Sequence, residues 1–311
     1  MIENQILVSA CIITYNHEKY IKDAIEGALM QDVDFGYEIV IGEDCSTDNT
    51  LKICEEYQKK HPSIIRILKR ERNLGMNGNW LSTIRSAKGK YIAICEGDDY
   101  WTDKNKIKRQ VDFLEKNPKF SMHSHECYYI NPFIRKTFRS SLSILFYNWR
   151  FNGLIHALKI AYLILSNRDS FWKKRRNYQG NKRYGTGDIN TALKTAFNKR
   201  YIHSASMMAR AEILKKMPDQ ALNYWIGHAT SIVWTSLFGL QKHSMDVMAC
   251  RRVQEKSSAI TKREKRYPDK ALRTRMQVKL LEKLNDHCPK KSRDILKKEI
   301  AKMQLNNEKH S

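Results

Sequence analysis

The chain has 311 residues, enough to bury a full core as one large domain with an appendage. Its formal net charge of +23 is unevenly spread: residues 1–130 carry 18 Lys+Arg against 20 Asp+Glu, and residues 131–311 carry the other 38 against 13. Seven scattered cysteines with no C-x-x-C pair, and an opening Met1-Ile2-Glu3-Asn4-Gln5 without a basic stretch or apolar run, point away from an oxidising compartment and a secretory leader.

In chain order, Ile6 to Ile13 reads as a buried strand, and Tyr15-Asn16 turns the chain toward a helix with Ile21, Ile25, Ala28 and Leu29 at helical spacing. Tyr37 to Ile41 is a second strand ending in Gly42-Glu43-Asp44. Ser46-Thr47-Asp48-Asn49 then supplies turn and cap residues for a helix carrying Leu51, Cys54 and Tyr57. His61-Pro62 stops that helix, and Ile64 to Leu68 forms a third strand. Asn73 to Asn79 reads as a polar, Gly-bearing loop before a helix around Leu81 to Ala87. Lys88-Gly89-Lys90 leads into a strand over Tyr91 to Cys95. Thr102-Asp103 caps a helix with Ile107, Val111 and Leu114 on one face, closed by Asn117-Pro118. Strands alternating with helices predict an α/β fold with a mostly parallel central sheet.

The Tyr91 strand ends in Glu96-Gly97-Asp98-Asp99-Tyr100-Trp101. Open α/β sheets bind ligands at the carboxyl edge. Adjacent carboxylates there suit a hard divalent cation, Mg²⁺ or Mn²⁺, that completes its shell with phosphate oxygens.

The second part reads differently. Residues 142–165 are apolar and aromatic, but Arg150, His156 and Lys159 interrupt them, and Phe171-Trp172-Lys173-Lys174-Arg175-Arg176 follows. This suits either a helix lying in a membrane interface or a helical pair packed on the main domain. Ile202 to Cys250 returns to the sheet domain, and the basic stretch beyond about Lys256 is helix-forming (Ala271 to Asn285, then Ser292 to Met303). The division expected is 1–130 for the ligand-binding α/β half and 131–200 for a helical insertion. Residues 201–256 complete the sheet domain, and 257–311 form a basic helical extension. The positive charge fits an anionic membrane face, an acidic substrate or a solvated surface. Nucleic-acid binding is not expected, for no recognition helix, zinc module or RNA-binding aromatic motif is present.

Four ordered motifs across residues 6–117 together resemble the family 2 glycosyltransferases of bacterial cell-surface polysaccharide synthesis. They are Val8 to Asn16; Glu38 to Thr50; Asn73-Leu74-Gly75-Met76 with Gly89-Lys90-Tyr91-Ile92-Ala93; and Glu96 to Trp101. The resemblance implies the GT-A nucleotide-sugar-binding fold and an inverting transfer from a nucleotide sugar, most plausibly UDP-linked, to a growing or lipid-linked glycan. It implies donor contacts at Thr14, Tyr15, Asn16, Glu18, Asp44, Asn73, Gly75, Asp98 and Arg252, with Asp99 as the direct metal ligand beside Asp98. Each position has a plainer reading: Asp44 capping the Ser46–Asn49 turn, Asp98 capping the following helix, Asn73 and Asp48 serving only their loops.

The match weakens beyond residue 200. Where the family's carboxylate base follows a glycine, this chain has His228 after Gly227, and where the family has Arg-x-His it has Arg252-Val253-Gln254. A neutral histidine can act as a base near pH 7, so His228 is the implied base, with Asp188 as a second candidate. Gln254 is a weaker implied metal ligand. A nucleotide-sugar-binding or partner-binding protein without turnover is the alternative. A cytoplasmic enzyme peripheral on the inner face of the cell membrane is the expected setting.

Overall fold

The computed structural model describes residues 5–130, 186–197, 202–224, 227–252 and 270–308. The membrane-interface candidates 142–165 and 173–176, and the metal-ligand candidate Gln254, lie outside the described residues. No helix among the described residues is long and apolar enough to cross a membrane.

The first half alternates as its periodicity demands. β1 (Ile6–Thr14), β2 (Gly36–Glu43), β3 (Ile65–Lys69) and β4 (Tyr91–Glu96) are separated by α1 (Ile21–Leu29), α2 (Thr50–Lys60) and α3 (Gly75–Ser86). β5 (Tyr100–Trp101), α4 (Lys106–Lys116) and β6 (Phe120–Ile130) follow. Then come β7 (Thr186–Gly187), α5 (Ile189–Phe197), β8 (Met208–Arg210), α6 (Gly227–Ser236) and β9 (Leu240–Arg252), with α7 (Lys270–Asn285) and α8 (Lys290–Glu308) last.

The strands form one mixed sheet in the order β3-β2-β1-β4-β8-β6-β9-β5, with β7 paired to β9. It is parallel from β3 to β4, as expected. Beyond β4 it is mixed: β8 runs antiparallel to β4 and β6, while β6 and β9 are parallel.

Alternation along the central strands splits the core in two. Cys11, Ile13, Val40, Ile92 and Ile94 face a cluster built with α3, α5, α6, α7 and α8, including Trp80, Leu193, Trp234, Leu281 and Leu296. Ala10, Ile12, Ile39, Ile41, Ala93 and Cys95 face a second cluster with α1 and α4. Strands buried on both faces must be apolar throughout, which is why β1 and β4 read as unbroken hydrophobic runs. The basic C-terminal helices therefore join the first cluster through Leu280, Leu281, Leu284 and Leu296, with Lys279, Lys290, Lys291, Lys297, Lys298 and Lys302 exposed.

One boundary differs from expectation. α3 begins at Gly75, inside the stretch read as a loop. Its first turn is capped from outside: the Leu74 N–H donates to Asp44 Oδ1 (2.8 Å) and the Gly75 N–H to Asn73 Oδ1 (2.9 Å). Gly75 has φ +74°, which glycine adopts at low cost.

Candidate active site

The sheet reverses direction of growth between β1 and β4: β2 and β3 are added on one side of β1, β4 on the other. Such a switch point opens a crevice outside the carboxyl ends of the two strands. The residues after β1 and β4 meet there. The Gly97 N–H donates to Ile13 O (2.9 Å), and a Cβ at Gly97 would lie 2.5 Å from Thr14 Oγ1 and 2.8 Å from His17 Nδ1. Only a glycine allows this approach, which brings the carboxylate loop against the end of β1.

The loops after β1 and β2 are knitted together. Asn16 (φ 55°) and Cys45 (φ 60°) both take the left-handed conformation, a strained one for a residue with a Cβ. Asn16 Oδ1 accepts from the Thr47 N–H (2.8 Å), and Glu18 Oε2 from the Asn49 N–H (3.1 Å). Asp48 accepts from the Thr50 N–H and the Glu18 N–H, serving its turn as the plainer reading had it. Thr14 is buried with its hydroxyl 3.2 Å from His17 Nδ1, while Tyr15 is exposed at the rim.

Asp44 is buried at the end of β2, and its bonding partners differ from those of a Ser46–Asn49 turn cap. Its carboxylate meets the N-terminus of α3, and its backbone carbonyl accepts from Asn73 Nδ2 (2.9 Å). Burial pushes the Asp44 carboxyl up, against the amides of Leu74 and Gly75 and the charge of Arg70. Arg70 itself carries two buried nitrogens, Nε and Nη2, with no hydrogen-bond partner. Buried donors left unmade are costly and point to a missing acceptor. The sequence reading passed over Arg70, although it follows β3 as Asp44 follows β2.

At the end of β4 the two adjacent aspartates part company. Asp99 is 1% exposed; its Oδ1 accepts from the Arg252 N–H (2.8 Å), and its Oδ2 lies 3.5 Å from His203 Nδ1. Asp98 is partly exposed, with its backbone carbonyl taking Arg252 Nη1 (3.1 Å). α4 begins at Lys106, eight positions beyond Asp98, and the Asn105 N–H just ahead of it donates to Asp103 Oδ1 (2.8 Å). Arg252 also binds Asp23 and lies between the rings of Tyr20 and Tyr100.

Glu96, Asp99 and His203 bring three ligand atoms within 4.8 Å of one another. Burial, reinforced by Asp98, pushes the Asp99 carboxyl up and Glu96 up to about 7, while burial drives the His203 imidazole down. Two carboxylates and one imidazole suit Mn²⁺, which accepts nitrogen, better than Mg²⁺, which prefers oxygen alone. The donor set thus fits a divalent ion. His203 was given no role from sequence, since 104 residues separate it from Asp99 and no local spacing links them.

The two candidate bases are separated. His228 opens α6, and its ring centroid is 6.5 Å from that of His203. Asp188 is exposed and caps α5, accepting from the Thr191 N–H (2.9 Å), which holds its carboxyl below the usual range. Its neighbour Gly187 pairs with Gln241, whereas Trp101 pairs with Ala249. Gln241 and Ala249 face Met122 and Cys127 of β6, so about five positions of strand, on the order of 17 Å, part Asp188 from the carboxylate loop.

A sequence profile described as glycosyl transferase family 2 matches residues 9–217. The chain belongs to this family. An Escherichia coli relative, the UDP-Glc:alpha-D-GlcNAc-diphosphoundecaprenol beta-1,3-glucosyltransferase WfaP, is 36% identical over 124 residues, 40% of this chain and 47% of that protein. The chain spans between about a fifth and a half of the length of the curated relatives it matches. Among solved structures, Staphylococcus aureus TarS 1-349 in complex with UDP-GlcNAc superposes with a TM-score of 0.58 at 15% identity, covering 97% of this chain and 73% of that one. The mannosyltransferase PcManGT from Pyrobaculum calidifontis, in complex with GDP-Man and Mn²⁺, gives 0.54 at 18%, covering 96% and 70%. At these identities the likeness shows the fold, which is the GT-A fold expected.

Proposed function

We propose that this family 2 chain is an inverting glycosyltransferase, moving a sugar from a nucleotide sugar to a hydroxyl of a growing or lipid-linked cell-surface glycan. The observation that carries the reading is the cluster of Glu96, Asp99 and His203 at the switch point, with Asp44 and Arg70, two of whose buried nitrogens lack a hydrogen bond, at the ends of neighbouring strands. A nucleoside diphosphate needs both ends of that crevice.

In this reading Asp44 accepts from the nucleobase and Arg70 donates to it, while Thr14, Tyr15, Asn16 and Glu18 shape the pocket and Asn73 and Gly75 close it. Glu96, Asp99 and His203 hold the divalent ion, Mn²⁺ before Mg²⁺, with Asp98 beside them and Gln254 as a further ligand. Bound there, the ion supplies charge neutralisation at the diphosphate. Arg252 keeps Asp98 and Asp99 in place. His228 takes the proton of the acceptor hydroxyl as it attacks the anomeric carbon from the face opposite the diphosphate. UDP is the first nucleotide to test, since the names of WfaP and of the TarS complex carry UDP-sugars. The undecaprenol diphosphate in WfaP's name supports a lipid-linked acceptor, and with it a peripheral site on the cytoplasmic leaflet. The outward lysines 290, 291, 297 and 298 of α8 suit such a surface.

The test is a panel of UDP-, GDP- and dTDP-sugars, scored for thermal stabilisation and nucleotide release with and without Mn²⁺. A donor that stabilises the protein and is turned over, with both effects lost in Asp99→Ala, is the expected result. If no nucleotide sugar raises Tm at millimolar concentration with Mn²⁺ present, the reading fails. Stabilisation with no turnover on any glycan acceptor favours the binding protein instead.

A further inference from the structure

His203 reaches Asp99 from a single 3-10 turn, Ser204–Ser206, too short to hold its own shape. Two consecutive carbonyls of that turn are gripped from outside. The Trp101 indole Nε1–H donates to Ala205 O (2.9 Å), and the Gln110 Nε2–H donates to Ser206 O (2.9 Å). Between these two anchors sits Lys106, fully buried. Its Nζ donates to Gln110 Oε1 (2.7 Å) and stands 4.1 Å from the centroid of the Trp101 ring.

A lysine here is costly: it forms no ion pair among the described residues, and burial pushes its ammonium down to about 7. An apolar side chain of the same length would fill the space without that cost. What only the lysine provides is direction. Protonated, as it is below about pH 7, the lysine has donors and no acceptor, and so turns the Gln110 amide oxygen inward. The NH₂ group is thereby aimed at Ser206 O and at His123 O (3.3 Å). The opposite flip would set the amide oxygen against the Ser206 carbonyl and release the turn.

We propose that Lys106 is a positioning residue, which fixes the Gln110 amide and the Trp101 ring so that the His203 turn is locked against Asp99. The proposal rests on the cation-site reading above for one of its two measurements only.

Lys106→Met removes the orienting charge while keeping length. Gln110→Glu keeps a partner for Lys106 but loses the donor to Ser206 O. In metal-free, ¹⁵N-labelled protein, the His203 imidazole resonance is assigned by its loss in His203→Gln. It is expected to shift or split in both variants, while the backbone amide spectrum elsewhere stays dispersed. Mn²⁺ affinity, by titration calorimetry, is expected to fall about 10-fold, the usual effect of losing a partner behind a metal ligand. An unmoved His203 resonance, with Mn²⁺ affinity within about twofold of the unmutated chain, overturns the proposal. Should Lys106→Met fail to fold, Gln110→Glu decides alone. If the unmutated chain binds no Mn²⁺, the cation reading fails separately, and the imidazole resonance still decides the brace.

Discussion

Lys106→Met also makes a prediction about stability whose sign depends on pH. Burial without a counter-charge lowers the folded-state lysine from 10.5 to about 7. At 1.36 kcal/mol per unit, keeping this lysine inside costs on the order of 4–5 kcal/mol at neutral pH. Between about pH 7 and pH 10.5 the unfolded chain holds a proton here that the folded chain has released, so this group's contribution to stability rises with pH across that window. Below about 7 the cost is present in full and constant. Methionine removes it, but leaves Gln110 Oε1 buried and unpaired, a loss of about 1–3 kcal/mol, and gives up roughly 1–2 kcal/mol of cation–ring attraction.

Near pH 7 the variant is therefore expected to match the unmutated chain or exceed it by about 1–2 kcal/mol. Near pH 10 the folded lysine is neutral, so its attraction to the ring has vanished along with most of its cost, and the variant should be less stable by up to about 2 kcal/mol, the loss at Gln110 Oε1. Guanidinium chloride melts of both proteins at unit pH steps from 6 to 10 read this directly. The difference curve is the quantity to follow, because buried thiols such as Cys11 and Cys54 are held protonated by burial in the folded chain but titrate in the unfolded one at the alkaline end, equally in both proteins. Parallel stability curves with no crossing would refute the placement of Lys106 as an unpaired buried amine.

Gly97→Ala forces a methyl to within 2.5 Å of Thr14 Oγ1. It should cost about 1–3 kcal/mol in a denaturant melt, and donor-induced stabilisation should weaken with it. Arg70→Gln removes buried donors that lack partners but also the charge that favours the Asp44 carboxylate, so the stability of the unliganded protein should change little, by about 1 kcal/mol or less. Nucleotide affinity should drop by about 10-fold or more, as expected for a charged hydrogen bond of roughly 1.5–3 kcal/mol, and isothermal titration with the best donor checks it. Asp188→Ala should lower stability by about 1 kcal/mol through loss of the α5 cap and leave turnover intact. His228→Gln should instead keep donor binding and slow transfer by about 10²–10⁴. Equal loss of turnover in both would reverse the assignment of the base.

The donor half was legible because its information is local. β1, β2, β4 and the helices between them announce themselves by apolar runs, periodicity and caps within ten residues, and the Glu96–Trp101 run follows its strand directly. What escaped was whatever the fold supplies from a distance. α3 begins six residues before its apolar face shows, because the carboxylate capping it belongs to Asp44, thirty positions earlier. Arg70 gave no signal as one more arginine in a basic stretch; only burial without a partner distinguishes it. His203 is brought to Asp99 by the β4–β8 pairing, which no spacing in the chain encodes.

Adjacency in sequence also misled in one respect. Asp98 and Asp99 read as an equivalent pair, yet the chain turns directly after β4, with the Asp99 N–H donating to Glu96 O (2.9 Å), and the two residues leave that turn in different surroundings. Asp99 is sealed against Arg252 and His203, and Asp98 stays partly exposed. Their burial differs for that reason, and so must their work. A buried carboxyl between a backbone amide and an imidazole sets the shape of the cluster; a partly exposed one is the one a ligand from solvent can reach. The cluster is thus rigid where Lys106, Gln110 and Trp101 stand behind it and adaptable at its mouth, the distribution of stiffness a site needs when one side must hold an ion still while the other accepts a phosphate.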